Sequence, residues 1–439
     1  MAAPTSTDPT TSAAATMKLP QEIYDHVVDY LWNDKPALAA CSLVCHGWLH
    51  AARFHLFAEC YLSTRVQYLQ FRDLMHASTT SGTSVERYIR HLTIDLLEHQ
   101  SPTPGLSGAY REDSCEGVLL TTLPWLHHVS HLTLSMDWAG GWLRDDLREC
   151  ILRLAPRVRQ LTLSTLYIVR AEDIFRMLEY FTVLTSLELI RVVEKEDVWS
   201  AWHCVKLPRS SPRIQSAYVK FFTCTPFVVE LLLHSPRGAV LRKLACTLNP
   251  TVAEHWNGLQ GCLRHSGASL EILQLHTNCH GKPVVSPPPL DLRSNTRLRQ
   301  FTMFWSSYLP HQFNLSSFIT HIASPYLRTL QVVFPADSRR SGSADIRVSD
   351  VEVVDEILTQ LLHNAPDLHI TIQVQLWEER RFGPMKNRPI QWCQHWCNIL
   401  AGLDKALPRL RKCSRRLRVT IASYIHDHDH IHGPEYKAF

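Results

Sequence analysis

Residues 129–164 read VSHLTLSMDWAGGWLRDDLRECILRLAPRVRQLTLS, and they hold two copies of one apolar pattern. Val129-x-x-Leu132-x-Leu134 and Val158-x-x-Leu161-x-Leu163 both end in an alternation of period two, which suits a strand with one buried face. Between them, residues 146–155 form a helical stretch that stops at Pro156, where a helix end is expected.

The same pattern runs outward in both directions. It starts at Ile89 before these copies, and at Leu184, Ile214, Leu241, Leu270, Leu298 and Leu327 after them. The fourth positions are spaced by 40, 29, 26, 30, 27, 29, 28 and 29 residues, and chance does not hold a step that steady. Two weaker copies follow at 368–372 and 417–421. Further helical stretches lie at 172–181, 226–234, 252–265, 354–364 and 394–406, several of them ending near a proline. Three loop-like excursions, 99–117, 280–291 and 335–350, interrupt the period.

A strand plus a helix every 28 residues or so resembles the leucine-rich-repeat family. Only Asn249 and Asn278 match the asparagine by which that family ties its loop backbone, so the repeats are degenerate and an irregular α/β solenoid is expected over 63–424. In each strand the third, fifth and seventh pattern positions face away from the buried apolar groups. The early strands offer small polar groups there, such as His91, Thr93, His131 and Thr133. Later strands add larger ones, and Val333 among them. Interfaces concentrate their energy in a few aromatic anchors within a polar surround. Tyr218, Lys220, Lys243, Ile272, Gln274, His276, Phe304 and Gln331 are therefore the residues expected to hold a target protein. Packing of these groups against one another is the alternative.

Ahead of the repeats, residues 17–62 read as a cluster of helices. Ile23, Val27 and Leu31 make one apolar stripe, and Pro20 and Glu22 suit the start of a first helix. Residues 33–36 break it, and the part that follows is apolar around most of its circumference. So small a unit cannot bury that surface alone. Either the rest of the chain covers it or a separate protein does. Val66, Leu69, Phe71 and Leu74 suggest one more helix leading into the repeats.

Leu19-Pro20-x-Glu22-Ile23, Tyr30-Leu31, Cys41-Ser42-Leu43-Val44-Cys45-x-x-Trp48, Ala52-Arg53 and Leu56-Phe57 together resemble an F-box. The match runs in unbroken order, with His46-Gly47 as a departure at which a local helix break is expected. The family's three-helix module holds the Skp adaptor of a cullin-RING ubiquitin ligase. The resemblance implies adaptor contacts at Leu19, Pro20, Ile23, Val27, Leu31, Val44 and Trp48, of which Trp48 also suits the head's own core. It implies a substrate receptor with no catalytic residues; a scaffold that binds partners through the same head and repeats without a ligase is the rival reading.

Composition narrows the remaining classes. Hydrophobic content of 45% with 20% charged residues is globular, and residues 1–16 alone read as a disordered tail. The net charge is +4, with Lys and Arg scattered, so neither nucleic acid nor a membrane is expected as a partner. Thirteen cysteines without a tight spacing, and no secretory signal, point to buried thiols and a cytoplasmic or nuclear location. No stretch is apolar for long enough to cross a membrane. Residues 425–439 form a polar tail whose His426–His432 run has metal-ligand side chains, but a polar chain end explains it better. Trp392–Cys397 reads as helix packing, and the basic run 409–418 as a solvated strand flank. No phosphate loop, nucleophile elbow or metalloprotease helix is present, so no cofactor, metal site or enzyme is expected.

Overall fold

The computed structural model describes residues 20–96, 114–135, 145–164, 167–168, 177–194, 214–222, 241–248, 253–277, 290–304, 321–337, 351–379 and 417–426. The chain is α/β, built on a parallel sheet whose strands pair in the order in which the sequence supplies them. That order is compatible with an α/β solenoid.

The sheet opens at β1 (Glu59–Leu62), β2 (His91–Asp95), β3 (His131–Ser135) and β4 (Gln160–Ser164). A short β5 (Tyr167–Ile168) lies off the main path against β6 (Ser186–Glu194). The path continues through β7 (Ser216–Phe222), β8 (Lys243–Leu248), β9 (Ile272–Thr277) and β10 (Gln300–Phe304). It ends with β11 (Thr329–Asp337), β12 (His369–Glu379) and β13 (Leu417–His426). Each of the nine strong copies of the apolar pattern begins its strand at the third position, and the fourth and sixth turn into the core, except that the side chain of Val219, sixth in its copy, lies outside the described residues.

One hydrogen-bonded rung fixes that register. The carbonyl of Arg90 accepts from the backbone N–H groups of both Ser130 and His131, at 2.9 and 3.0 Å. The same double acceptance repeats from Ser130, Arg159, Thr185, Gln215, Arg242, Glu271 and Arg299, each to the pair of residues that opens the next strand. Since each coil hands the same carbonyl to its neighbour, the leucines of successive coils stack in rows.

The rows form one continuous core from Leu62 to Ile370. In a single coil, Ile89, Leu92 and Ile94 are at most 1% exposed. Burying three such side chains is worth roughly 5–9 kcal/mol, which is less than the conformational entropy of ordering some 28 residues. No coil can therefore stand alone, and each depends on the next.

Helices precede the sheet and lie between its strands along the chain. The helix α1 (Gln21–Asp29) opens the described chain, followed by α2 (Lys35–Val44) and α3 (His46–Phe57). Then come α4 (Arg65–Ser81), α5 (Cys115–Thr122), α6 (Asp145–Leu154), α7 (Ala253–Ser266) and α8 (Val351–Asn364). In α6 the buried residues are Leu147, Ile151 and Leu154, one face at helical spacing. A reciprocal box starts α4: Thr64 Oγ1 accepts from Gln67 N–H, and Gln67 Oε1 accepts from Thr64 N–H. Gly82, with φ of +66°, ends α4 in the left-handed conformation that favours glycine.

Several expectations are corrected. The head, expected to run to residue 62, ends before β1, which pairs with β2 through Leu62 and Ile94 and carries the same apolar pattern as Phe57-x-x-Cys60-x-Leu62. Helix α4 exists, but it buries Tyr68, Phe71 and Met75 and leaves Val66 62% exposed. Helix α5 starts inside the excursion 99–117, where Ser114 Oγ caps it by accepting from Gly117 N–H. The excursion 335–350 begins as strand, because β11 pairs with β12 as far as Asp337 and Trp377. Pro335 is tolerated there because the pairing of β11 with β10 ends at Val333. Strand β13 carries the array past residue 424, through His426.

The helical stretches at 226–234 and 394–406 lie outside the described residues, as do Asn249, Asn278 and residues 280–289 of the excursion 280–291. Among the described residues no helix is long and apolar enough to cross a membrane. The seven cysteines described are free thiols.

Candidate functional site

The head is α1, α2 and α3. Pro20 precedes α1, and Asp34 Oδ1 starts α2 by accepting from Ala37 N–H at 3.0 Å, with Pro36 in the first turn. The apolar run read as one segment is two helices, since Cys45 is extended, with φ −163° and ψ 168°. The break expected at His46-Gly47 therefore falls one residue earlier.

Polar ties set the three helices against each other. Gln21 Nε2 donates to Gly47 O at 2.6 Å, Lys35 Nζ to His55 O at 2.6 Å, and His55 Nε2 lies 2.7 Å from Asp29 Oδ1. Tyr24 and Trp48 meet at 6.1 Å between ring centres. Behind the head, the Ala58 carbonyl accepts from Arg90 and His91, and His50 Nδ1 hydrogen-bonds the Tyr88 hydroxyl at 2.8 Å.

The head has a core of its own, separate from that of the array. Only Val28, Leu38, Cys41 and Ala52 are buried in it, with Leu31, Trp48, Ala51 and Leu56 packed alongside. Other large apolar groups stay open. Ile23 is 46% exposed, Val27 43%, Val44 64% and Leu43 87%, and Tyr30 and Trp32 also face outward. Covering a Val or Ile completely is worth about 1.5–3 kcal/mol, so this surface is a substantial reserve of binding energy.

The residues expected to meet an adaptor divide into two groups. Pro20, Ile23, Val27 and Val44 are exposed, whereas Leu31 and Trp48 are half-buried against the head's core. Leu19 lies outside the described residues. Sequence reasoning missed the openness of Leu43, Tyr30 and Trp32. Their apolar character was visible, but not which of them the short helices would leave outside.

Tyr218, Lys243, Ile272 and Gln274 are half-buried, and Lys220 belongs to β7 with its side chain outside the described residues. His276 stacks on Phe304, with ring centres 3.9 Å apart and planes 9° from parallel. Gln331 Nε2 donates to Gln373 Oε1 at 2.8 Å. Ala245, Thr247 and Thr302 at outward positions are buried, and Val333 is fully so. Val333 sits in register between Phe304 and Gln373 on strands only about 4.8 Å away, and such neighbours close over it. In these later strands the outward groups largely pack on each other.

The early strands stay more open. The His91 and His131 rings lie 4.0 Å apart, and Glu59 Oε1 stands 3.7 Å from His91 Nδ1. Burial first, and the neighbouring His91 second, push the His131 imidazole below its ordinary value of 6.5. Thr162 Oγ1 donates to Glu188 Oε2 at 3.1 Å.

Among the described residues no group of three or more His, Cys, Asp or Glu side chains is placed to hold a metal ion. The Trp392–Cys397 segment, most of the basic run 409–418 and the tail from 427 lie outside the described residues. No family model matches the chain, and a search of curated proteins finds no match to it.

Proposed function

We propose that this chain is a substrate-recognition subunit of a Skp-cullin-F-box ubiquitin ligase. In this reading α1 to α3 are an F-box that docks on the Skp-type adaptor, and the strand–helix array is a degenerate leucine-rich-repeat solenoid that holds a target protein. A separate enzyme then ubiquitinates lysines of that target, and this chain contributes by positioning. Such a protein works in the cytoplasm or the nucleus.

The observation that carries the reading is the exposure of Ile23, Val27 and Val44 beside a head core of only four buried residues. A helical unit with so small a core, and with large apolar groups turned outward, is suited to completion by a second protein. The order of residues from Pro20 to Phe57 supports the F-box, and the steady strand period supports the repeats.

Co-purification of the full chain tests it. Recovery of cullin together with the adaptor supports the ligase subunit. Recovery of adaptor without cullin favours the non-ligase scaffold, and recovery of neither overturns the F-box assignment.

A further inference from the structure

Arginines that are scattered along the sequence meet on one rim of the sheet. Arg90, Arg159, Arg242, Arg299 and Arg328 all occupy the second position of their apolar pattern. Each contributes to the hydrogen-bonded rung just before its strand, so all five stand at one level on β2, β4, β8, β10 and β11. Arg159, Arg242, Arg299 and Arg328 are exposed, and Arg90 is half-buried. Among the described residues only Arg299 of this row forms an ion pair, at 3.6 Å from Glu271.

Neighbouring groups reinforce the charge. Arg90 Nη1 donates to His128 O at 3.3 Å, and Arg157 and Arg297 flank the row two residues before Arg159 and Arg299. The His128 imidazole is held below its ordinary value by partial burial, then by Arg90, His127 and Arg157, with Glu86 opposing weakly. From β2 to β11 the sheet takes eight strand-to-strand steps, about 38 Å at the usual strand spacing.

We propose that this arginine rim binds an extended acidic segment of a partner protein. The proposal rests on the reading of the array as the part of the chain that holds a target. Guanidinium groups pair side by side with carboxylates, which favours arginine over lysine for this task. The row is discontinuous: Glu271 stands within it, and Thr185 and Gln215 leave an uncharged gap between Arg159 and Arg242. A peptide can place its acidic residues opposite the arginines and neutral ones opposite Glu271 and the gap. A nucleic acid carries a phosphate at every nucleotide and cannot skip them. Roughly 12 residues of extended peptide span the distance.

The test uses the full chain and a fluorescein-labelled peptide of about that length, rich in Glu and Asp, in an anisotropy titration. A neutral peptide, a single-stranded RNA and vesicles containing phosphatidylserine serve as competitors. The expected result is binding of the acidic peptide that weakens with added salt and falls at least about tenfold in Arg242→Glu/Arg299→Glu/Arg328→Glu. A milder Arg→Gln triple variant with an unchanged melting profile is expected to fall in the same direction. Unchanged affinity in both folded variants, or preferential binding of RNA or vesicles, overturns the proposal. Adaptor binding is measured on the same samples, so loss of the rim's activity with the adaptor still bound leaves the F-box assignment standing.

Discussion

Gly47 lies against Tyr24: a β-carbon on Gly47 would stand 3.2 Å from Tyr24 Cδ2, tighter than side-chain carbons ordinarily approach. The same glycine carbonyl receives the Gln21 side chain, so the contact locks α1 to the start of α3. Gly47→Leu should destabilise the head by about 1–3 kcal/mol through overpacking. Limited proteolysis should show earlier cleavage within residues 20–57, with the array's own unfolding transition in urea unchanged. An unaltered head would mean that Tyr24 moves aside freely.

The His131 imidazole titrates below 6.5 in the folded chain, and its neighbours on the strand face are His91, Glu59 beyond it, and Ser130 Oγ at 2.9 Å. A depressed histidine pKa means that the unfolded chain takes up the proton first as pH falls. Stability should therefore be full above 6.5 and decline as the pH drops below it toward the folded value. His131→Gln should flatten that decline in denaturant melts run across the range. An identical pH slope in the variant would remove His131 from the explanation.

The thiols divide by burial. Cys45 is exposed at the break between α2 and α3, whereas burial pushes Cys60 up to about 12. Only the thiolate is an efficient nucleophile. With iodoacetamide at about pH 8, peptide mapping should find Cys45 modified and Cys60 spared in the native chain, and both modified in urea. Native modification of Cys60 at the rate of Cys45 would contradict the packing of β1 on the array.

The strand period was legible because each coil buries the same three apolar positions, and that requirement is written along the chain. Strand β1 was not, because Glu59–Leu62 is short and its apolar lead-in, Phe57, is also the last residue of helix α3 and reads as part of the head. Closure over Val333 was equally invisible, since it depends on Phe304 and Gln373, 29 and 40 residues away in sequence. The arginine rim shows the opposite case. Its signal, an arginine at the second position of five copies, was present in the sequence but passed for scattered charge until the rung aligned it. In the head, the apolar content was plain and Trp48 stood out as suited to the core, yet the sequence did not show that Leu43, Tyr30 and Trp32 would be left outside.

The account turns on the open apolar surface of the head. The direct measurement is the affinity of purified Skp-type adaptor for the full chain, compared with an Ile23→Asp/Val27→Asp variant. Both residues are about half exposed, so the variant should melt within about 0.5 kcal/mol of the parent. The account predicts a tight complex with the parent chain and a loss of at least about a hundredfold in the variant. No complex with the parent chain, or equal affinity in a folded variant, would contradict it.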